Sequence, residues 1–356
     1  MSHPRKILIL GASYGSLLGI KLVMAGHQVT LVCLPNEVEL INREGIRVRL
    51  PLKGREGLVE LDSRRYPGLL KAAGPADVKP ADYDLVGLAM QEPQYRSPGV
   101  RELLDAVAKS KVPCMSIMNM PPLPYLARLP GVATAACRSA YTDPTVWDGF
   151  DPASLTLCSP DPQAFRPPEE QVNVLQVRLP TNFKAARFVS DTHTAMLRGL
   201  QADIEAIRFE VDGKPTELPV KLKVHDSVFV PLAKWSMLLA GNYRCVTPQG
   251  VRPIKEAVHS DLAASRAVYD WVGDLCKSLG AKDEDLVPFE KYAAAAQGLA
   301  SPSSAARALY AGAPNIERVD RLVQAIAAQK GQRHPAVDEV VALVDAQLER
   351  NRAAKS

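Results

Sequence analysis

KILILGASYGSLLGIKLVMAGHQVTLVC, residues 6–33, is the stretch against which the rest of the chain is read. A run of aliphatic residues meets a turn of small residues at Gly11, and a helix-length apolar segment follows. Gly26-His27 stops that segment, and a β-branched run begins at Val29. This is the pattern of a β-α-β unit. Small residues between strand and helix let a nucleotide pyrophosphate approach the backbone, where the helix N-terminus offers unpaired N–H groups and the positive end of its dipole. The stretch reads as the first half of a dinucleotide fold, with Gly11, Ala12, Ser13, Tyr14 and Gly15 as the cofactor-binding turn.

The glycine spacing departs from the Gly-x-Gly-x-x-Gly fingerprint. Ser13 takes the place of the second glycine, and Gly15 comes one residue early. A strand-turn-helix that binds no nucleotide is the competing reading of the bare motif. After the second strand the chain runs Val32-Cys33-Leu34-Pro35-Asn36-Glu37, with no basic residue before Arg43. An acid there serves the ribose hydroxyls of NAD, and a basic residue serves the 2′-phosphate of NADP. Glu37 could do the former or cap the adjoining helix.

At 356 residues the chain has room for two domains, each with its own core. Hydrophobic residues make up 47% and charged ones 23%, the balance of a globular protein. The net charge of +4 is too small and too scattered to suggest nucleic acid as a partner. No apolar run reaches the roughly 20 residues of a membrane span, so no membrane partner is expected. No signal-peptide pattern precedes the first strand, and the six cysteines show no ligand spacing. The expectation is a cytoplasmic protein with reduced, buried thiols and no metal site, since His193 and His225 lack a second ligand at metal spacing.

Further along, Asp84–Met90 and Pro113–Met118 read as buried parallel strands, separated by a helix over 100–109. Ligands bind outside the carboxyl ends of such strands. Met90, Gln91 and Asn119 are therefore candidates for lining the cofactor or substrate crevice. Strands are expected over 133–141, 155–158 and 172–179, a helix over 192–204, and a hairpin pairing 208–211 with 220–224 about Asp212-Gly213. From Val228 the pattern is helical to the end, the first helix running from Phe229 to Asn242 with Pro231 in its first turn. The expected domains are 1–215, a Rossmann-type dinucleotide-binding α/β domain, and 216–356, an all-helical substrate and dimerisation domain.

Ala25-Gly-His-Gln-Val-Thr-Leu-Val32 at one end, and at the other Ser301-Pro-Ser-Ser304 followed by Gly312, Glu317, Asp320, Leu322 and Gly331 to Pro335, resemble the ketopantoate reductase (2-dehydropantoate 2-reductase) family. The resemblance implies a Rossmann-type domain followed by a helical domain of the 6-phosphogluconate dehydrogenase C-terminal kind. It implies NADP as cofactor, with NAD as the alternative, and a small anionic substrate in the cleft between domains. Pairing into a homodimer is a fold-level analogy only. The family's cofactor-contacting lysine corresponds here to Gln91, and its asparagine after the next strand to Asn119. The family pattern Trp-x-Lys-Leu-x-x-Asn, aligned on Trp235, puts Met237 at the lysine and Gly241 at the asparagine. A displaced pair, Lys234 and Asn242, shares a broad helix face and could replace them. Ser304 matches the family's carboxylate-holding serine, and Glu317 its acid.

Carbonyl reduction needs a proton donor for the developing alkoxide and cationic or N–H groups for a substrate carboxylate. Lys234 could be that donor, and Arg244 could hold an anion. The competing readings are a solvated Lys234, a local salt bridge at Arg244 and a helix-start role for Glu317. Three functions stay open on these residues. One is an NAD(P)-dependent oxidoreductase reducing a 2-oxo acid or related carbonyl. Another is an imine reductase or hydroxy-compound dehydrogenase on the same scaffold, and the third a nucleotide-binding protein without catalysis.

Overall fold

The computed structural model describes residues 3–355. The chain divides into two compact units. The first comprises residues 1–90, 94–118 and 148–226, and the second comprises 91–93, 119–147 and 227–356. The division thus falls near 226 rather than 215, and the second unit takes two excursions from the N-terminal half. The boundary moves because Leu222–His225 pairs in parallel with Phe183–Ala186, which ties it to the first unit's sheet.

In that unit eight strands lie side by side. Their order is Leu222–His225, Phe183–Ala186, Leu155–Ser159, Cys114–Ile117, Leu85–Leu88, Lys6–Leu10, Gln28–Val32 and Leu69–Ala73. The last six of these, read from the Leu69 edge, follow the strand order 3-2-1-4-5-6 of the doubly wound nucleotide-binding fold. All pairings are parallel except that of Phe183–Ala186 with Leu155–Ser159. The first strand therefore lies between its sequence neighbour Gln28–Val32 and the distant Leu85–Leu88, with Ile7 beside both Val29 and Leu85. This is the topological switch point, and the Gly11 turn stands at its carboxyl end.

The helix Tyr14–Met24 succeeds the turn, and its residues Gly15 to Val23 are all buried. Two glycines explain its close seat. At Gly11, φ is +105° and a Cβ would lie 2.7 Å from the Ala89 carbonyl oxygen. At Gly15 a Cβ would lie 2.8 Å from Ile9 Cγ2, which is the packing role the third fingerprint glycine serves. Ile7, Ile9, Leu17, Ile20, Val23, Leu31 and Leu85 belong to the continuous apolar core of this unit. A second sheet orders Leu58–Asp62, Arg47–Pro51, Val174–Leu179 and Gln163–Phe165.

Three sequence expectations change. Residues 133–141 form not a strand but the helical turns Thr134–Cys137 and Arg138–Ala140, because the buried positions Cys137, Ala140 and Tyr141 recur at the three-to-four-residue spacing of a helix and not at the alternation of a strand. The hairpin about Asp212-Gly213 pairs Phe209–Val211 with Lys214–Thr216, not with 220–224. Both turn residues have positive φ, 52° and 74°, which a two-residue turn of the mirror-image type demands. The helical pattern expected from Val228 is interrupted within 255–278, where two helices form, Ile254–His259 and Leu262–Ser278, because Asp261 leaves helical geometry and its side chain accepts from the Ala264 N–H as a cap.

The second unit is predominantly helical, and its longest helices are Leu262–Ser278 and Pro335–Ala353. All six cysteines are free and buried. No described helix is long and apolar enough to cross a membrane. Among the described residues no group of three or more His, Cys, Asp or Glu side chains could hold a metal ion.

Candidate active site

The helical segment expected over 229–242 is irregular, and its irregularity builds the site. It runs as a 3₁₀ turn Val230–Ala233, an α turn Lys234–Met237, a π segment Leu238–Asn242 and a 3₁₀ turn Tyr243–Cys245. In the π segment the Tyr243 N–H reaches back five residues to the Leu238 carbonyl. Such a bulge adds one residue to a turn and rotates the residues beyond it by about 100°. In an unbroken α-helix Asn242 would stand roughly 80° round from Lys234; the bulge brings it within roughly 20°. Gly241, the residue in strict register with the asparagine pattern, turns instead toward the Tyr292 hydroxyl, 2.0 Å from where a Cβ would sit.

Asn242 thereby lines a pocket with Gln91, Asn119, Ser304 and Glu317, walled by Leu238, Tyr243, Ala305, Ala308 and Ile316. All of these belong to the second unit, because Gln91 and Asn119 sit on its two excursions. The sequence-predicted residues Gln91, Asn119, Asn242, Ser304 and Glu317 are thus brought together from four separate parts of the chain. The pocket is small, about 30 Å³, so a ligand larger than a water or two enters by widening it. A larger cavity of about 220 Å³ lies elsewhere in this unit, among Trp271, Gln324, His334 and Asp338. It contains none of the predicted residues. Its acid is already engaged, Asp338 accepting from Gln324 and pairing with Arg333.

Glu317 is the electrostatic centre of the smaller pocket. Withdrawal from water raises its carboxyl to about 7, with the nearby Glu92 charge adding to the rise. The Glu92 backbone N–H, 3.3 Å from Oε1, the Asn119 amide and the charge of Lys234 oppose it. A carboxyl poised near neutrality can give or take a proton at physiological pH. Lys234 is half-buried and forms no wall of the pocket, yet its charge is felt at Glu317. Asn119 Oδ1 is buried without a hydrogen-bond partner, an unsatisfied acceptor at the pocket.

Several supporting residues escaped the sequence reading. Glu92 is buried, and its carboxylate accepts from the Thr142 N–H at 3.0 Å and hydroxyl at 2.8 Å. Its place directly after Gln91 at a strand end was the only signal for it. Ser303, rather than Ser304, caps the helix Ser304–Tyr310, and its hydroxyl donates to the Asn242 carbonyl at 2.7 Å. Tyr243 also brackets the acid: its hydroxyl donates to the Glu317 carbonyl and accepts from the Val319 N–H at 3.0 Å. Behind it Arg318 joins Asp320 and Asp345, which anchors the segment that carries Glu317.

Arg244 is placed elsewhere. It does not line the pocket; its guanidinium donates to Ser265 Oγ at 2.5 Å on the helix Leu262–Ser278. Burial, with Arg252 adding, lowers its pKa from the usual guanidinium value. One residue past Tyr243, the 3₁₀ turn carries the Arg244 side chain away from the face that Asn242 shares.

In the first unit the Gly11 turn keeps its predicted residues together. The N–H groups of Ala12, Ser13 and Gly15 make no hydrogen bond to the described residues, and Ser13 caps the helix without a side-chain bond. Met90 lies on the neighbouring strand end, its Cγ 3.1 Å from where a Cβ on Gly11 would stand. These N–H groups at a helix N-terminus fit the phosphates of a dinucleotide. Ser13, where a second glycine is usual, leaves that part of the approach narrower.

The sequence matches no family model and no curated protein. Solved structures do match. A 2-dehydropantoate 2-reductase from Methylococcus capsulatus superposes with a TM-score of 0.65 at 14% identity, covering 97% of this chain and 97% of that one. A ketopantoate reductase from Ralstonia eutropha JMP134 gives 0.61 at 17% identity, covering 98% and 99%. A D-mandelate dehydrogenase solved with NADH and anilino(oxo)acetate gives 0.62 at 14% identity, again covering 98% and 99%. Likeness at such identities is a likeness of fold: this chain is built, over nearly its whole length, as the ketopantoate reductases are.

Proposed function

We propose that the protein is a nicotinamide-dependent oxidoreductase that reduces a small 2-oxo acid or a related carbonyl. The observation that carries this reading is the Glu317 carboxyl, held near neutrality and within the electrostatic reach of Lys234, in a pocket with Asn119, Asn242 and Ser304. A reduced nicotinamide, when bound, is the source of the hydride. The chain's own residues supply the rest. Lys234 gives the proton to the carbonyl oxygen as negative charge develops there, and Glu317 holds the ammonium and returns its proton. The Asn242 amide and the Ser304 hydroxyl hold the substrate's polar groups, and Asn119, at a strand end, faces the same space. Arg244, turned to Ser265, has no part in this, so the substrate carboxylate rests on neutral donors. In the opposite direction the same groups accept a proton from a 2-hydroxy acid, and the fold likeness to a D-mandelate dehydrogenase favours keeping that direction in view.

A fluorescence titration of the purified protein with NADPH and NADH is the first test. Saturable binding of at least one supports the reading, and binding of neither overturns it. Turnover is then measured on a panel of small 2-oxo acids. Lys234→Ala should lower kcat by about 10²-fold or more while leaving nucleotide binding unchanged. Turnover that survives Lys234→Ala removes lysine as the donor.

A further inference from the structure

Glu92, next to Gln91, is 2% exposed. Withdrawing a carboxylate from water is costly unless its oxygens find donors. Here both do: Oε1 accepts from the Thr142 N–H at 3.0 Å and Oε2 from the Thr142 hydroxyl at 2.8 Å. Two bonds from one residue fix the carboxylate in place and in plane. Thr142 is itself held, because its neighbour Tyr141 is buried and donates through its hydroxyl to the Pro121 carbonyl at 2.7 Å. Glu92, Pro121, Thr142 and Glu317 all belong to the second unit.

The clamp reaches the pocket through the backbone. Glu92 opens the 3₁₀ turn Glu92–Arg96, so its N–H is not spent inside the turn. That N–H donates to Glu317 Oε1 at 3.3 Å. One residue thus acts on Glu317 in two opposed ways: its N–H gives the carboxyl a direction and favours the ionised form, while its side-chain charge disfavours that form. Lys234, on the α turn, adds a cation to these surroundings. Arg318, the next residue, is tied to Asp320 and Asp345, and burial pushes the Tyr243 hydroxyl well above its usual value. Among these groups Glu92 alone both donates to the Glu317 carboxyl and repels its charge. Glu92 forms no wall of the pocket, so its part is indirect.

We propose that Glu92 is a positioning residue of the site: clamped by Thr142, it orients the Glu317 carboxyl with its N–H and opposes the ionisation of that carboxyl with its own charge. The inference rests on the oxidoreductase reading above, in which Glu317 returns a proton to Lys234, and adds the residue that holds Glu317 to that task.

Glu92→Gln removes the charge but keeps the N–H and the length of the side chain, and its amide oxygen can still accept from the Thr142 N–H. NMR of the Glu317 carboxyl carbon, assigned by its loss in Glu317→Gln, follows the titration without cofactor or substrate. In Glu92→Gln that titration should move to lower pH by about half a unit or more, and the falling limb of kcat/KM for carbonyl reduction should move with it. Thr142→Val deletes the hydroxyl and loosens the clamp. It should lower kcat about threefold or more with KM changed by less than about twofold, and Thr142→Ser should restore the rate. A Glu317 titration that stays in place in Glu92→Gln, as a purely structural role would have it, or that moves to higher pH, overturns the proposal and leaves the oxidoreductase reading standing. If Glu92→Gln does not fold, the threonine variants carry the test, and an unchanged kcat in Thr142→Val or no recovery in Thr142→Ser overturns the proposal. A protein that shows the shifted titration yet binds neither NADPH nor NADH supports the coupling of Glu92 to Glu317 and overturns the oxidoreductase reading instead.

Discussion

The Tyr292 hydroxyl donates to the Met237 carbonyl at 3.0 Å and stands 2.0 Å from where a Cβ on Gly241 would lie. These two facts explain each other. The π bulge displaces the backbone, Tyr292 satisfies a carbonyl beside it, and only glycine leaves room for that hydroxyl. The rotation that carries Gly241 toward Tyr292 also carries Asn242 into the pocket.

Gly241→Ala should destabilise the protein by about 1–3 kcal/mol, the cost of overpacking a filled site. Tyr292→Phe removes the hydroxyl but leaves the ring, whose Cζ is 3.3 Å from the added Cβ. Alone it should cost about 1 kcal/mol for the lost hydrogen bond. In its background Gly241→Ala should cost measurably less. Denaturant unfolding of the four species of this double-mutant cycle gives the coupling, and additive costs would show that the two residues do not meet.

Glu317 sets a pH dependence. Its folded pKa, raised to about 7 by desolvation, keeps it protonated below neutrality. If it returns the proton to Lys234, kcat/KM for carbonyl reduction should be highest on the acid side and fall as pH rises through about 7. Glu317→Gln should lower the rate and abolish that limb. A limb that persists in Glu317→Gln assigns the titration to another group.

Lys21 gives a stability signature independent of catalysis. It is buried in the helix Tyr14–Met24, its Nζ donates to the Pro219 carbonyl at 2.6 Å, and desolvation lowers its pKa to about 7, with the charge of Lys221 adding. The unfolded chain holds this proton until about 10.4, so between those values the unfolded state binds more protons and stability rises with pH. The stability of wild type relative to Lys21→Met should increase between about pH 7 and 10, by at most about 1.4 kcal/mol per unit. Urea unfolding of both proteins at pH 6, 8 and 10 measures it. A constant difference would mean that the amine keeps its proton when folded.

Arg318 is 7% exposed and bridges Asp320, fully buried, to Asp345. Arg318→Met leaves a carboxylate buried without its cation, which should cost about 3–5 kcal/mol. Arg318→Met combined with Asp320→Leu should recover a good part of that loss. Thermal unfolding of the two variants distinguishes the outcomes, and a single variant as stable as wild type would remove the network from the fold's support.

Two classes of information separate in this chain. The opening β-α-β unit, the buried strands at 85–88 and 114–117 and the helical second half were legible in the sequence because strand and helix periods are local. A turn at Gly11 needs no distant partner to be read. The residue types of the pocket were legible too, as Asn119, Ser304 and Glu317. Their surroundings were not. Arg244 looked able to hold an anion, yet it lines no part of the pocket and donates through Nη1 to Ser265, 21 residues on.

The sequence by itself determined the doubly wound architecture and the placing of a small-residue turn at its switch point, since apolar periodicity and glycine positions act over a few residues. Tertiary structure alone decided the electrostatics and the register of the site. Glu317 acquires its raised pKa from burial beside Glu92, 225 residues away, and Arg166 reaches Glu37 across 129. Asn242 enters the pocket because a helix yields one residue to the hydroxyl of Tyr292. Desolvation, pairing of charges and steric exclusion all depend on which groups the folded chain brings within a few ångströms, and spacing along the chain does not encode that.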